Sequence, residues 1–199
     1  MRINANVRRT LLAALAATVI AGPALSQDKK PIRVGLIHDY TGPFAGGGSE
    51  PAAVGTKLLI DRINAAGGVE GHKIDAIYAD AQSKTDVAIN EAERLVSQEK
   101  VDLIMGIYSS AHCVPLAQRM DAAKMFMWAN ICISSAVFKD KNLTYVFRPT
   151  AHSDQFGQVS VDMIAHYAKA KLGQDAKGLK VAIIHEDGPY GVGVAGSNE

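Results

Sequence analysis

The 199-residue sequence has no apolar run of the roughly 20 residues that a membrane-crossing helix needs. It has only two cysteines, Cys113 and Cys132, and neither lies near the N-terminus, so a lipid-modified N-terminal cysteine is excluded. No clustered basic face is present, which excludes the electrostatic footprint of a nucleic-acid binder. Heptads, low-complexity tracts and internal repeats are absent as well. The motifs of catalysis are also missing. There is no G-x-S-x-G turn and no H-E-x-x-H. Gly46-Gly47-Gly48 is not followed by Gly-Lys-Ser/Thr and is no phosphate loop. The six histidines, His38, His72, His112, His152, His166 and His185, show no metal-ligand spacing. Adjacent His112 and Cys113 are no nucleophile–base pair on that ground alone, because such partners meet in space. Gly191-Val192-Gly193-Val194-Ala195-Gly196 spells G-x-G-x-x-G, but Asp187–Tyr190 separates it from the preceding apolar run, where a dinucleotide site needs a tight turn. The chain therefore reads as a non-enzyme with no cofactor and no metal.

What is there begins at Met1. Arg2, Arg8 and Arg9 precede an almost wholly apolar Leu11–Ala21, and Ala24-Leu25-Ser26 closes the segment with small residues. A basic start, a short apolar stretch and an A-x-S exit describe a cleaved secretory signal peptide over residues 1–26. Arg8-Arg9 also fits a twin-arginine signal faintly. The segment holds three of the 21 basic residues and none of the 20 acidic ones, so residues 27–199 carry 18 against 20, a balance of −2. Their 173 residues suffice for one domain, or for one and part of another.

Beyond the signal, strands and helices alternate. Ile32–Ile37, Lys73–Ala79, Val101–Gly106 and Met125–Ala129 read as buried strands. Between them, Glu50–Ala66 reads as a helix with Val54, Leu58, Leu59 and Ile63 on one side and Gly67-Gly68 as its stop. A capped helix starts at Ser83–Asp86 and continues through Ala88, Ala92, Leu95 and Val96, and Ala111–Ala123 forms a third. The alternation predicts an α/β fold with a parallel sheet covered on both faces. Ligands of such sheets sit at the carboxyl ends of the strands, which selects the loops His38–Ser49, Asp80–Thr85, Gly106–Cys113 and Asn130–Ala136. Leu143–Arg148 is a short extended run ended by Pro149. A helix follows over Ser153–Ala170 with Phe156, Val159, Met163 and Tyr167 on one face, then a buried strand Lys180–His185 and the start of a helix at Tyr190. The elements after Pro149 cannot bury a core alone, so the reading is a complete first lobe and a truncated second.

Pro31–Gly47 (PIRVGLIHDYTGPFAGG) resembles the first strand and loop of type I periplasmic binding proteins, in the leucine/isoleucine/valine-binding branch that serves ABC importers. INAAGGVEGHKID (Ile63–Asp75), GIYSS (Gly106–Ser110), YVFR (Tyr145–Arg148) and VAIIHEDGPYGVG (Val181–Gly193) match its landmarks in order. The resemblance implies two α/β lobes that close on a ligand as a Venus flytrap. On this reading residues 27–150 are the N-terminal lobe and 151–199 the incomplete start of the second. It implies a periplasmic protein, a monomer when full length, that delivers a small carboxylate to an inner-membrane permease. A ligand-sensing ectodomain, or an amide- or urea-type sensor built on the same lobes, is the alternative.

Ser109 and Ser110 precede a helix, whose free N–H groups and positive dipole end suit a carboxylate. Plain capping is the other use of serine there. The resemblance assigns them to the ligand carboxylate, places Ser134 or Ser135 on the ligand's polar head, and puts the backbone carbonyl of Cys132 against it. It has Tyr190 close over the ligand from the second lobe. Tyr40 and Phe44 stack on the ligand or pack the first loop. His112 departs from the small residue of amino-acid binders; with Ser109–Ala117 (SSAHCVPLA) it is similar to a subgroup for aromatic carboxylates, where it donates to the ligand acid or packs at the lobe surface. The acidic partner of an amino-acid ammonium is expected beyond Glu199. Cys113 and Cys132 follow neighbouring strand ends and either pair in an oxidising compartment or stay buried free thiols, the second being favoured.

Overall fold

The computed structural model describes residues 29–198, and the signal peptide read over residues 1–26 lies outside them. Five strands, β1 (Lys29–His38), β2 (His72–Asp80), β3 (Leu103–Gly106), β4 (Met127–Trp128) and β5 (Val146–Phe147), form one sheet in the order β2-β1-β3-β4-β5. All four ladders are parallel. Helices α1 (Glu50–Ala65), α2 (Thr85–Ser97) and α3 (Ser110–Ala122) make the crossovers between the first four strands, and α4 (Ser153–Leu172) and α5 (Pro189–Gly196) follow the sheet. No described helix is long and apolar enough to cross a membrane.

The continuous apolar run of β1 is explained by burial on both faces. Val34 and Leu36 pack with Ile60 of α1, while Ile37 joins the larger core with Leu95 of α2 and Leu116 of α3. Helix α1 is turned away from the orientation expected from Val54, Leu58, Leu59 and Ile63. Its sheet side is Ala53 and Ile60, and Leu58 is 64% exposed. Asn64 accounts for the rotation. Its side chain donates to the Ile74 carbonyl (2.8 Å) and accepts from the Ile74 N–H (2.7 Å). That clasp satisfies an edge-strand peptide and turns Ile60 and Ala53, four and eleven positions before Asn64, toward the sheet.

The expected strand over Lys180–His185 is an irregular segment, and Ile184 is 98% exposed. A strand needs a neighbour for its N–H and C=O groups, and none flanks it among the described residues. The apolar side of α4 is likewise open: Phe156, Val159, Met163 and Tyr167 are exposed, and the helix buries Ser153, Gly157 and Ala168. Gly157 lets α5 approach, because a β-carbon there would collide with Ser197. The G-x-G-x-x-G stretch lies inside α5 itself and forms no loop. On the sheet, Phe126, Trp128 and Phe147 stack with centroids 5.0–6.4 Å apart on a partly exposed face.

Cys113 and Cys132 form a disulfide, correcting the expectation of free thiols. The first turn of α3 and the loop after β4 bring their Cα atoms to 6.4 Å, within bridging reach. The bond is buried in the main core.

Candidate functional site

In the order 2-1-3-4-5, successive crossovers leave β1 in opposite directions, and a crevice opens beyond the carboxyl ends of β1 and β3. A cavity of about 370 Å³ lies there. The loop after β3 enters it through two consecutive left-handed residues, Gly106 (φ +103°) and Ile107 (φ +56°). Position 106 requires glycine, since a β-carbon would collide with the Ile37 carbonyl. The Gly106 N–H is held by Asn130 Oδ1 at 2.9 Å. A positive φ is costly for β-branched Ile107 and is offset by its complete burial. The turn delivers Tyr108, Ser109 and Ser110 to the cavity wall.

Ser109 caps α3, its Oγ accepting the Ala111 N–H at 3.2 Å. Ser110 Oγ accepts the Ser134 N–H at 3.3 Å. Both oxygens are thus acceptors within the protein, and each hydroxyl hydrogen is left to donate to a ligand. With the positive dipole end of α3, this end of the cavity suits an anion. The other walls are Phe44, Ile131 and Ile133, with Tyr190 and Glu186 from the chain after α4.

The first loop is locked to this wall. Tyr108 donates its hydroxyl to the Gly47 carbonyl (3.3 Å), and a β-carbon at Gly48 would lie 2.6 Å from the Tyr108 ring. Phe44 donates its N–H to Ser83 Oγ (3.0 Å) and sets its ring edge-on to His112, 5.7 Å between centroids. Beneath Phe44 is a buried polar cluster. His112 Nδ1 is 3.0 Å from Thr85 Oγ1, and its Nε2 is 3.4 Å from Asp39 Oδ1, which accepts the Ser83 N–H at 2.8 Å. The Asp39 N–H donates to Ser49 Oγ at 2.7 Å. His38, next along β1, is buried, and neither ring nitrogen finds a partner among the described residues. Burial holds its imidazole below the ordinary value, with Asp39 pulling the other way.

Of the residues singled out from the sequence, Phe44, Ser109, Ser110 and Tyr190 line the cavity together. His112 does not: it is 2% exposed and faces Asp39 and Thr85 rather than the cavity or the surface. Tyr40 packs edge-on to His38 and gives its N–H to Asp80, and burial pushes its phenol up to about 12. The Cys132 side chain is spent in the disulfide. Ser134 is buried behind Ser110, its carbonyl accepting from Arg148 Nη1 at 2.7 Å. Ser135 turns to the start of α4, where its Oγ bonds Ser153 (2.8 Å) and Asp154 (2.6 Å). That bond holds the Asp154 carboxyl below its usual range. Tyr108, Ile131, Ile133 and Glu186 were not singled out. Ile131 and Ile133 flank Cys132 at the spacing that turns side chains to the opposite side of an extended chain. Glu186 follows an apolar run, where the rule of strand carboxyl ends points.

A doubly wound sheet with an anion-suited cavity at its switch point defines an α/β small-molecule-binding domain. The family model described as "Periplasmic binding protein" matches residues 31–197, and the chain belongs to that family. A Leu/Ile/Val-binding protein homolog 7 of Brucella suis is 34% identical over 193 residues, covering 97% of this chain and 47% of the relative. The chain thus spans about half the length of the curated relatives it matches. Among solved structures, a branched-chain amino acid transporter substrate-binding protein from Streptococcus pneumoniae in complex with isoleucine is 26% identical, with a TM-score of 0.63 over 72% of this chain and 39% of that one. A solute-binding protein from R. palustris in complex with 4-hydroxybenzoate is 28% identical, with a TM-score of 0.66 over 85% of this chain and 42% of that one.

Proposed function

We propose that the chain is the ligand-binding part of a periplasmic substrate-binding component of an ABC transporter, which holds a small carboxylate for import and catalyses nothing. The ligand is a hydrophobic or branched-chain amino acid or an aromatic acid, the two classes named for the isoleucine and 4-hydroxybenzoate complexes. The observation that carries the reading is the pair Ser109–Ser110. Two hydroxyls with hydrogens to give stand at the start of a 13-residue helix and face a cavity walled by aliphatic and aromatic side chains. Hydroxyls and dipole bind a carboxylate, and Phe44, Tyr108, Ile131 and Ile133 take an apolar body. Residues 27–150 form the first lobe and 151–199 open the second, from which Tyr190 reaches across. Closure of the two lobes brings the protein to an inner-membrane permease as a monomer, after export by the leader over residues 1–26.

Titration calorimetry with leucine, isoleucine and 4-hydroxybenzoate tests the reading. Ser110→Ala removes one bond to a charged group and raises Kd about tenfold or more. An unaltered Kd removes Ser110 from the site.

A further inference from the structure

Two stretches of chain share the cavity wall. The turn into α3 carries Ser109 and Ser110, whose hydroxyls suit an acid, and the loop after β4 carries Ile131 and Ile133, which suit an apolar body. Among the described residues three side-chain ties join the two stretches. Asn130 Oδ1 accepts the Gly106 N–H at 2.9 Å, and Ser110 Oγ accepts the Ser134 N–H at 3.3 Å. The third tie is the Cys113–Cys132 disulfide. Cys113 stands about one helical turn beyond Ser110, and Cys132 lies between the two isoleucines. Both cysteines are buried and neither lines the cavity, so their bond acts on a ligand only through the residues beside it. A hydrogen bond between neutral groups yields to small displacements. A disulfide confines its two Cα atoms to a narrow range of separations, here 6.4 Å.

Resting on the binding reading above, we propose that Cys113 and Cys132 are positioning residues that set the length of the ligand. Their bond fixes how far the apolar wall at Ile131 and Ile133 stands from the hydroxyls of Ser109 and Ser110. An acid whose body matches that distance fills the cavity. One with a methylene more presses on the wall, and one with a methylene fewer leaves a gap. Without the bond the loop after β4 shifts to meet each body, and the discrimination flattens.

Calorimetry of the full chain with two length series tests this. One series is 4-hydroxybenzoate, 4-hydroxyphenylacetate and its homologue with a further methylene. The other is valine, leucine and the homologue of leucine with a further methylene. Each acid is titrated into the parent and into Cys113→Ala with Cys132→Ala, at a temperature well below both thermal midpoints. A second pair, Cys113→Val with Cys132→Ala, refills part of the lost sulfur volume and serves where the first does not fold. In the parent, one member of at least one series binds about tenfold or more tighter than its neighbours, as a single methylene decides in a fixed apolar pocket. In the variants without the bond that ratio falls to about threefold or less. A bond that only stabilises the fold lowers the thermal midpoint and leaves the ratio where it was. That result overturns the proposal while the carboxylate site stands. Equal binding along both series in the parent overturns it too. So does failure of both variant pairs to fold, which makes the bond a requirement of the fold itself. If none of the acids binds the parent, the binding reading falls and this proposal with it.

Discussion

Nε2 of His112 stands 3.4 Å from Oδ1 of Asp39, with both side chains almost wholly buried. Nε2 makes no hydrogen bond among the described residues, so the ring is held through Nδ1 and Thr85 and rests against the Asp39 carboxylate, setting the first turn of α3 beside the end of β1. His112→Leu replaces the imidazole beside the Asp39 carboxylate with an apolar group and leaves Thr85 without its partner. We expect a loss of about 1–3 kcal/mol in urea unfolding. Adding Asp39→Leu removes the carboxylate that then faces an apolar side chain, and the loss in the double variant is smaller than the sum of the single losses. Strict additivity of the two losses would show that the residues do not interact.

The Cys113–Cys132 bond closes a loop of sequence separation 19. Closing a loop of that size is worth about 3 kcal/mol by the chain-entropy account. Cys113→Ala with Cys132→Ala therefore unfolds at lower denaturant than the parent. Alkylation of the denatured, unreduced protein leaves its mass unchanged, and two adducts appear only after reduction.

His38 makes stability depend on pH in one direction. Its folded-state value is lowered from 6.5 by burial, so the unfolded chain takes up a proton first as pH falls. The contribution is whole above about 6.5 and is lost as pH drops from there through the folded value. Thermal midpoints should fall between about pH 7 and pH 5, and His38→Phe should flatten that fall. An identical slope in the variant would exclude His38 as its source.

Gly106→Ala meets two obstacles at once, a positive φ and the carbonyl of Ile37. A destabilisation of at least about 2 kcal/mol is expected from denaturant midpoints. Binding of 4-hydroxybenzoate or leucine should weaken as well, because the same turn sets Tyr108 and Ser109. A variant as stable as the parent would mean that the chain can take another path after β3.

Much of the architecture is legible from residue pattern alone. The apolar runs around Ile32–Ile37 and Lys73–Ala79 and the helices between them predict the parallel sheet, and the strand-end rule selects the loops that hold Phe44, Ser109 and Ser110. Pattern fails where a partner decides. The rotation of α1 depends on Asn64 gripping Ile74, a contact 10 residues apart that periodicity does not see. Val181–Ile184 has the composition of a buried strand but lies open, with no neighbouring strand among the described residues. His112 has the sequence position of a ligand contact, yet its ring is claimed by Thr85, 27 residues earlier in the chain. The disulfide was one of two open alternatives because compartment chemistry permits both, and only the closeness of the α3 start to the loop after β4 separates them. Glu186 carries no signal in the sequence, because a lone acid after an apolar run is distinguished only by the cavity beside it.

The aromatic stack on the sheet gives the molecule an optical property. Trp128 is the single tryptophan of the sequence, and it sits between β3 and β5 with Phe126 and Phe147 stacked on it, partly buried. Its emission therefore reports on one place only, the open face of the sheet, and not on the crevice holding Ser109 and Ser110. Whatever comes to cover that face will shift the spectrum to the blue. An acid that fills the crevice without disturbing that face will leave the spectrum where it was.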